Sequence, residues 1–140
     1  MGAEFDCLFC KIIQGKVPSA KVYEDEDVFA FLDINPVNPG HTLVVSKKHF
    51  INIFDVPEEE LKKLIVVVKR LSRSIKEALG ADGINIEMNN EKGAGQLINH
   101  IHFHIIPRFE GDGLRHWPGK EYQEGEKEEI AQKIREKLEE

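Results

Sequence analysis

Hydrophobic and polar positions change their spacing several times along the chain, and each change marks an element. Residues 20–24 and 27–33, the latter carrying Val28-Phe29-Ala30-Phe31-Leu32, predict two strands of a hairpin that turns at the acidic stretch Glu24–Glu26. A third strand is expected over 41–46, beyond the breaker loop Asn35-Pro36-Val37-Asn38-Pro39-Gly40. The spacing then becomes helical. Leu61, Leu64, Ile65, Val68, Leu71, Ile75 and Leu79 predict a long helix over 56–79, opened by an Asp55-x-x-Glu58 capping box and stopped by Gly80. Two further strands, 84–88 and 98–107, flank the loop Asn89–Gln96. Short helices are expected at either end: 7–14, capped by Asp6 and ended by Gly15, and 126–139, with Ile130, Ile134 and Leu138 on one stripe. The class is α+β, with a mostly antiparallel sheet of about five strands and the long helix across one face.

Composition narrows this picture. The chain has 140 residues and 41% hydrophobic content, which suits a single domain over 1–140 with its core at about 7–108 and a C-terminal extension over 109–140. No stretch approaches the roughly 18 apolar residues of a membrane span, and the start MGAEFDCLFC lacks a secretion signal, so a cytoplasmic location is expected. The net charge is −6, and residues 121–140 hold eight glutamates against four lysines or arginines. A nucleic-acid partner is disfavoured on that charge; a small anionic ligand is not, because donors in a pocket outweigh a screened surface charge. The two cysteines, Cys7-x-x-Cys10, do not make a secreted disulfide framework.

The most informative segment is His100-Ile101-His102-Phe103-His104. In a strand every second side chain faces the same way, so three imidazoles line one surface at steps of roughly 6.6–7 Å, while Ile101, Phe103 and Ile105 fill the core side. His41 and His49 sit at or beyond strand ends that can converge on the same place. A neutral imidazole at pH 7 is a competent nucleophile or proton carrier, and alternating histidines also suit a catalytic metal.

The pattern His100-φ-His102-φ-His104-φ-φ, with φ apolar, resembles the signature of the histidine-triad (HIT) family of nucleotide hydrolases and transferases. The resemblance spans roughly residues 7–108. It includes Cys7-Leu-Phe-Cys10-Lys-Ile-Ile, Asp33-Ile34-x-Pro36, Gly40-His41-x-Leu-Val-Val-x-Lys47-Lys48-His49, Asn89-Asn90 and Gly95-Gln96, and in detail it is most similar to the Hint branch and its zinc-containing prokaryotic relatives. What it implies is an HIT-like fold and cleavage of adenosine phosphoramidates or related AMP conjugates. His102 attacks the α-phosphorus, its Nδ1–H held by a backbone carbonyl, and a nucleotidyl-histidine forms and is hydrolysed. His41, Asn89, His104 and groups near Gly95 and Gln96 become donors to the phosphoryl oxygens, Asp33 binds the ribose hydroxyls, and Ile34 forms a wall against the base. Leu97 stands where the Hint branch commonly has a hydroxyl residue, so no side-chain donor is available there.

The cysteines at i, i+3 share one helix face, a spacing that lets two thiolates reach one metal; redox chemistry and two inert thiols are the other readings. The resemblance completes the ligand set with His49 and His100, giving one structural zinc per chain and no organic cofactor. Three further implications follow from it: a purine nucleotide of AMP type as partner, a homodimer joined through the long helix and a sheet strand with Ile65-Val66-Val67-Val68 as spare apolar surface, and His116-Trp117-Pro118 closing over the partner's pocket. Rival functions are hydrolysis of dinucleoside polyphosphates, a metal-dependent hydrolase that uses His100, His102 and His104 as ligands, and a nucleotide-binding scaffold without catalysis.

Overall fold

The computed structural model describes residues 6–138. The elements run α1 (Leu8–Ile13), β1 (Lys21–Glu24), β2 (Val28–Leu32), β3 (Thr42–Ser46), α2 (Glu58–Leu79), β4 (Gly83–Glu87), a 3₁₀ turn (Lys92–Ala94), β5 (His102–Arg108) and α3 (Glu126–Leu138). The strands form one sheet in the order β1-β2-β3-β5-β4, with every neighbouring pair antiparallel. All five expected strands and all three expected helices are present, with ends shifted by a few residues. Residue 139 of the last expected helix lies outside the described residues.

Two layers cover the sheet, and the alternation of strand residues explains how. Val28 and Ala30 of β2 and Val44 of β3 face α2, where they meet Leu64, Val67, Val68, Leu71 and Ile75, with Ile101 and Ile105 completing that layer. The intervening Phe29, Phe31, Leu43 and Val45 face the other way and pack with Phe9, Ile12 and both cysteines of the α1 region. β2 and β3 are thus covered on both faces, which accounts for their unbroken apolar runs. Each fully buried Leu or Val in these layers contributes on the order of 1.5–3 kcal/mol of hydrophobic stabilisation.

The helix ends depart from expectation in two places. Asp55 does not cap α2. Its carboxylate accepts the amides of Ile51 and Asn52 at 3.0–3.1 Å and closes a turn ahead of the helix. The N-cap is Pro57, with φ −64° and ψ 147° and no side-chain cap, and Glu58, Glu59 and Glu60 place negative charge against the helix dipole instead. The C-terminal stop is as expected: Gly80 has φ 64° and its N–H bonds Lys76 O. At α1 the N-cap is Cys7 rather than Asp6, its Sγ accepting the Cys10 amide at 3.4 Å. α3 buries none of its residues, and Ile130, Ile134 and Leu138 are all exposed. Among the described residues no helix is long and apolar enough to cross a membrane.

Candidate active site

Strand pairing places the histidines. β5 runs antiparallel to β3 with Leu43 opposite His104 and Val45 opposite His102, so both imidazoles share the α1 face of the sheet with those two apolar residues. His102 and His104 line a cleft of about 490 Å³. Its walls are Leu8, Phe9, Ile12, Val17 and Pro18 on one side, Phe31, Asp33, Ile34 and Asn35 on another, and Asn89, Gly95, Leu97 and Ile98 on the third. This is a mostly apolar slot with a few polar groups at one end, the usual composition of a small-molecule site.

The tautomer of His102 is fixed by the backbone. Its Nδ1–H donates to the carbonyl of His100 at 2.7 Å, which leaves the lone pair on Nε2. The Phe9 ring meets it edge-on, with centroids 5.0 Å apart, and fixes its orientation. Burial holds its pKa below the ordinary value, against the opposing pull of the His100 carbonyl, so the ring is neutral at pH 7. His104 meets His102 edge-on with centroids 5.0 Å apart, and its Nδ1 lies 2.9 Å from His41 Nε2. Burial lowers the pKa of His104 and His41 as well.

The third triad histidine behaves differently. His100 precedes the strand rather than lying in it, and it is fully buried below α1 instead of opening onto the cleft. Its Nε2–H donates to Ser46 O at 2.7 Å, and its Nδ1 lies 3.3 Å from Cys7 Sγ and 3.5 Å from Cys10 Sγ. His49 Nδ1 is 3.4 Å from Cys10 Sγ, and His49 Nε2 is buried without a hydrogen-bond partner. The four ligand atoms of Cys7, Cys10, His49 and His100 all lie within 4.8 Å of one another. A tetrahedral ion with Zn–S near 2.3 Å and Zn–N near 2.05 Å separates sulfur from nitrogen by about 3.6 Å, close to these distances. The donor set and the carbonyl that orients His100 fit a bound metal held through the Nδ1 atoms of His49 and His100. Among the described residues no ligand cluster unites His100, His102 and His104, so a catalytic metal on the histidine strand is not supported: His100 is turned into the cysteine cluster and His102 Nδ1 is engaged by a carbonyl.

The remaining candidates divide. Asp33 borders the cleft, one carboxylate oxygen accepting the Asn35 amide at 2.9 Å and the other lying 3.7 Å from His41 Nε2. Ile34 and Leu97 are 88% and 91% exposed at the rim, unusual for apolar residues unless a ligand covers them. His41 does not reach the cleft and stands behind His104. Gln96 is buried, and its side chain is wholly occupied: Oε1 accepts from Glu91 N and Asn52 Nδ2, and Nε2 donates to Ile51 O and Ile98 O. It shapes the Asn89–Gln96 loop and has no donor left for a ligand, contrary to its expected part in binding. Phe9 and the apolar walls other than Ile34 and Leu97 were not legible as site residues, because a core position and a pocket wall look alike in sequence.

The fold and this pair of sites, an imidazole cleft backed by a four-ligand cluster, define a histidine-triad protein. The HIT domain model matches residues 14–111, and the chain belongs to that family. It is 58% identical over 107 residues to an uncharacterised HIT-like protein of Methanocaldococcus jannaschii, covering 76% of this chain and 82% of that one. Over 144 residues it is 33% identical to the adenosine 5′-monophosphoramidase of Candida albicans, covering 99% and 95% of the two chains. Its structure matches a zinc-bound histidine-triad family protein of Mycobacterium smegmatis with TM-score 0.77 and 36% identity, covering 98% and 99%.

Proposed function

We propose that this protein is a nucleotide hydrolase that cleaves adenosine phosphoramidates or related AMP conjugates through a nucleotidyl intermediate on His102. The observation that carries the reading is the His102 Nδ1–H bond to the His100 carbonyl, which aims an unprotonated Nε2 into the cleft. The base enters between Ile34 and the apolar wall of Phe9, Phe31 and Leu43, and the ribose hydroxyls reach Asp33. Nε2 forms a bond to the α-phosphorus as the P–N or P–O bond breaks, and the leaving group departs with a proton drawn from the substrate phosphate or water. The His100 carbonyl holds the positive charge that develops on the imidazole. Water then attacks phosphorus, AMP leaves, and His102 is regenerated. His104 and the Asn89 amide donate to the phosphoryl oxygens throughout; such positioned donors supply most of the acceleration in phosphoryl transfer.

Zinc on Cys7, Cys10, His49 and His100 supplies a structural tie. It holds the His100 backbone, and with it the carbonyl that orients His102, and takes no part in the reaction. The active form is a homodimer in which the exposed Ile65 and Val66 of α2 and the free edge of β4 meet a second copy, with His116-Trp117-Pro118 near the partner's cleft.

His102→Ala retains AMP binding and loses turnover by at least about a thousandfold, the scale of removing a nucleophile. Calorimetry with AMP and a coupled assay on an adenosine phosphoramidate check both halves. Wild-type turnover in the variant overturns the proposal, as does the absence of a trapped nucleotidyl adduct on His102 during the reaction.

A further inference from the structure

Behind the cleft runs a hydrogen-bond chain that the motif residues do not explain, and it starts at Asn38. The Asn38 amide nitrogen donates to Pro107 O and to Asp112 Oδ2, both at 2.8 Å, which uses both of its hydrogens. Asp112 is itself fixed: Arg108 grips it through Nε and Nη2 at 2.9 and 2.8 Å, and the amides of Phe109 and Leu114 donate to it at 2.9 and 3.1 Å. The Arg108 guanidinium holds its carboxyl well below the usual carboxylate range. The Asn38 backbone carbonyl accepts the His41 backbone amide at 3.0 Å. The loop after β2 is therefore tied to the end of β5, and the neighbouring Val37 directs its N–H at His41 Nδ1, 3.1 Å away.

A backbone amide only donates, so His41 Nδ1 carries the lone pair and the single proton of the neutral ring sits on Nε2. That proton points at His104 Nδ1. His104 Nδ1 is then an acceptor too, and the His104 proton lies on Nε2. The same chain disfavours a metal at Asp33, His41 and His104, whose ligand atoms also cluster within 4.8 Å, because a ligating His41 Nε2 would have to give up its proton.

We propose that Asn38 is a positioning residue: by anchoring the Val37 amide on His41 it fixes His104 as the Nε2–H tautomer and so presents a hydrogen-bond donor to the phosphoryl group in the cleft. The role of that donor rests on the nucleotidyl-transfer reading above; the tautomers themselves do not.

The test is a long-range ¹H–¹⁵N correlation spectrum of the full-length, metal-loaded protein with ¹⁵N-labelled histidines at about pH 8, where imidazoles are neutral. The expected wild-type state is Nε2–H for His41 and His104 and Nδ1–H for His102. In Asn38→Ala the His41 and His104 signals shift toward a tautomer mixture while His102 stays, and kcat on an adenosine phosphoramidate falls roughly tenfold with KM within about twofold, as expected on losing one well-placed hydrogen bond. His41→Gln, whose amide hydrogens replace the Nε2–H, retains more kcat than His41→Phe. A wild-type His104 protonated on Nδ1 overturns the inference without any variant. Unchanged tautomers and kcat in Asn38→Ala overturn it as well. If the tautomers appear as assigned and respond to Asn38→Ala while His102→Ala still hydrolyses substrate, the anchoring stands and the catalytic reading falls.

Discussion

Among the described residues, Glu91 is the one non-glycine with positive φ, at 72° with ψ 157°. That region is costly for a side chain with a Cβ, and the loop holds it there: Gln96 Oε1 accepts the Glu91 amide at 2.8 Å, and the Glu91 carbonyl accepts the amides of Ala94 and Gln96. Glu91→Gly relieves the strain and is expected to stabilise the protein by about 1 kcal/mol net of the glycine's greater freedom when unfolded, raising the melting temperature by a few degrees. An unchanged melting curve would show that no strain is stored there. The buried histidines give a pH signature. His41 and His104 titrate near 6.5 when unfolded and lower when folded, since burial disfavours the charged ring. Below about pH 6.5 the unfolded chain therefore takes up more protons than the folded one. Stability is level with respect to these groups above that pH, falls as pH drops through it, and levels again beneath their folded-state values. Urea midpoints between about pH 8 and 5 check the sign.

At the scale of elements, the four-ligand cluster joins three parts of the chain that lie far apart in sequence. Cys7 and Cys10 come from the start of α1, His49 from the segment after β3, and His100 from the turn before β5. α1 is six residues long, too short to be stable alone, so its position against His102 depends on Phe9, Ile12 and the cysteine–histidine cluster. Chelation is expected to lower the melting temperature by on the order of 10 °C, while turnover persists below the new transition. Melting and activity measured with and without EDTA, alongside elemental analysis, separate this from a catalytic metal, for which turnover would vanish with the fold intact. The capping of α2 shows how local signals compete. Asp55-x-x-Glu58 satisfies the spacing of a capping box, yet the Asp55 carboxylate finds the Ile51 and Asn52 amides first, and Pro57 starts the helix.

For the whole molecule, the half-exposed Ile65 and Val66 on α2 and the unpaired edge of β4 support assembly with a second copy, and sedimentation should return a mass of two chains. A mass of 16.0 kDa, one chain, would overturn the dimer. Strand and helix positions were legible along the chain because burial on one or both faces imposes a spacing of its own, and the alternation at His100–His104 pointed to the family. Sequence alone determined the class of fold and the family. The division of labour among the histidines was decided only in three dimensions. His100 belongs to the cysteines, His102 to the cleft and His41 to the back of His104, because ring orientation depends on carbonyls and amides such as those of His100, Ser46 and Val37. Backbone groups are the same at every position and leave no trace in the order of side chains; where they point is set by the folded chain.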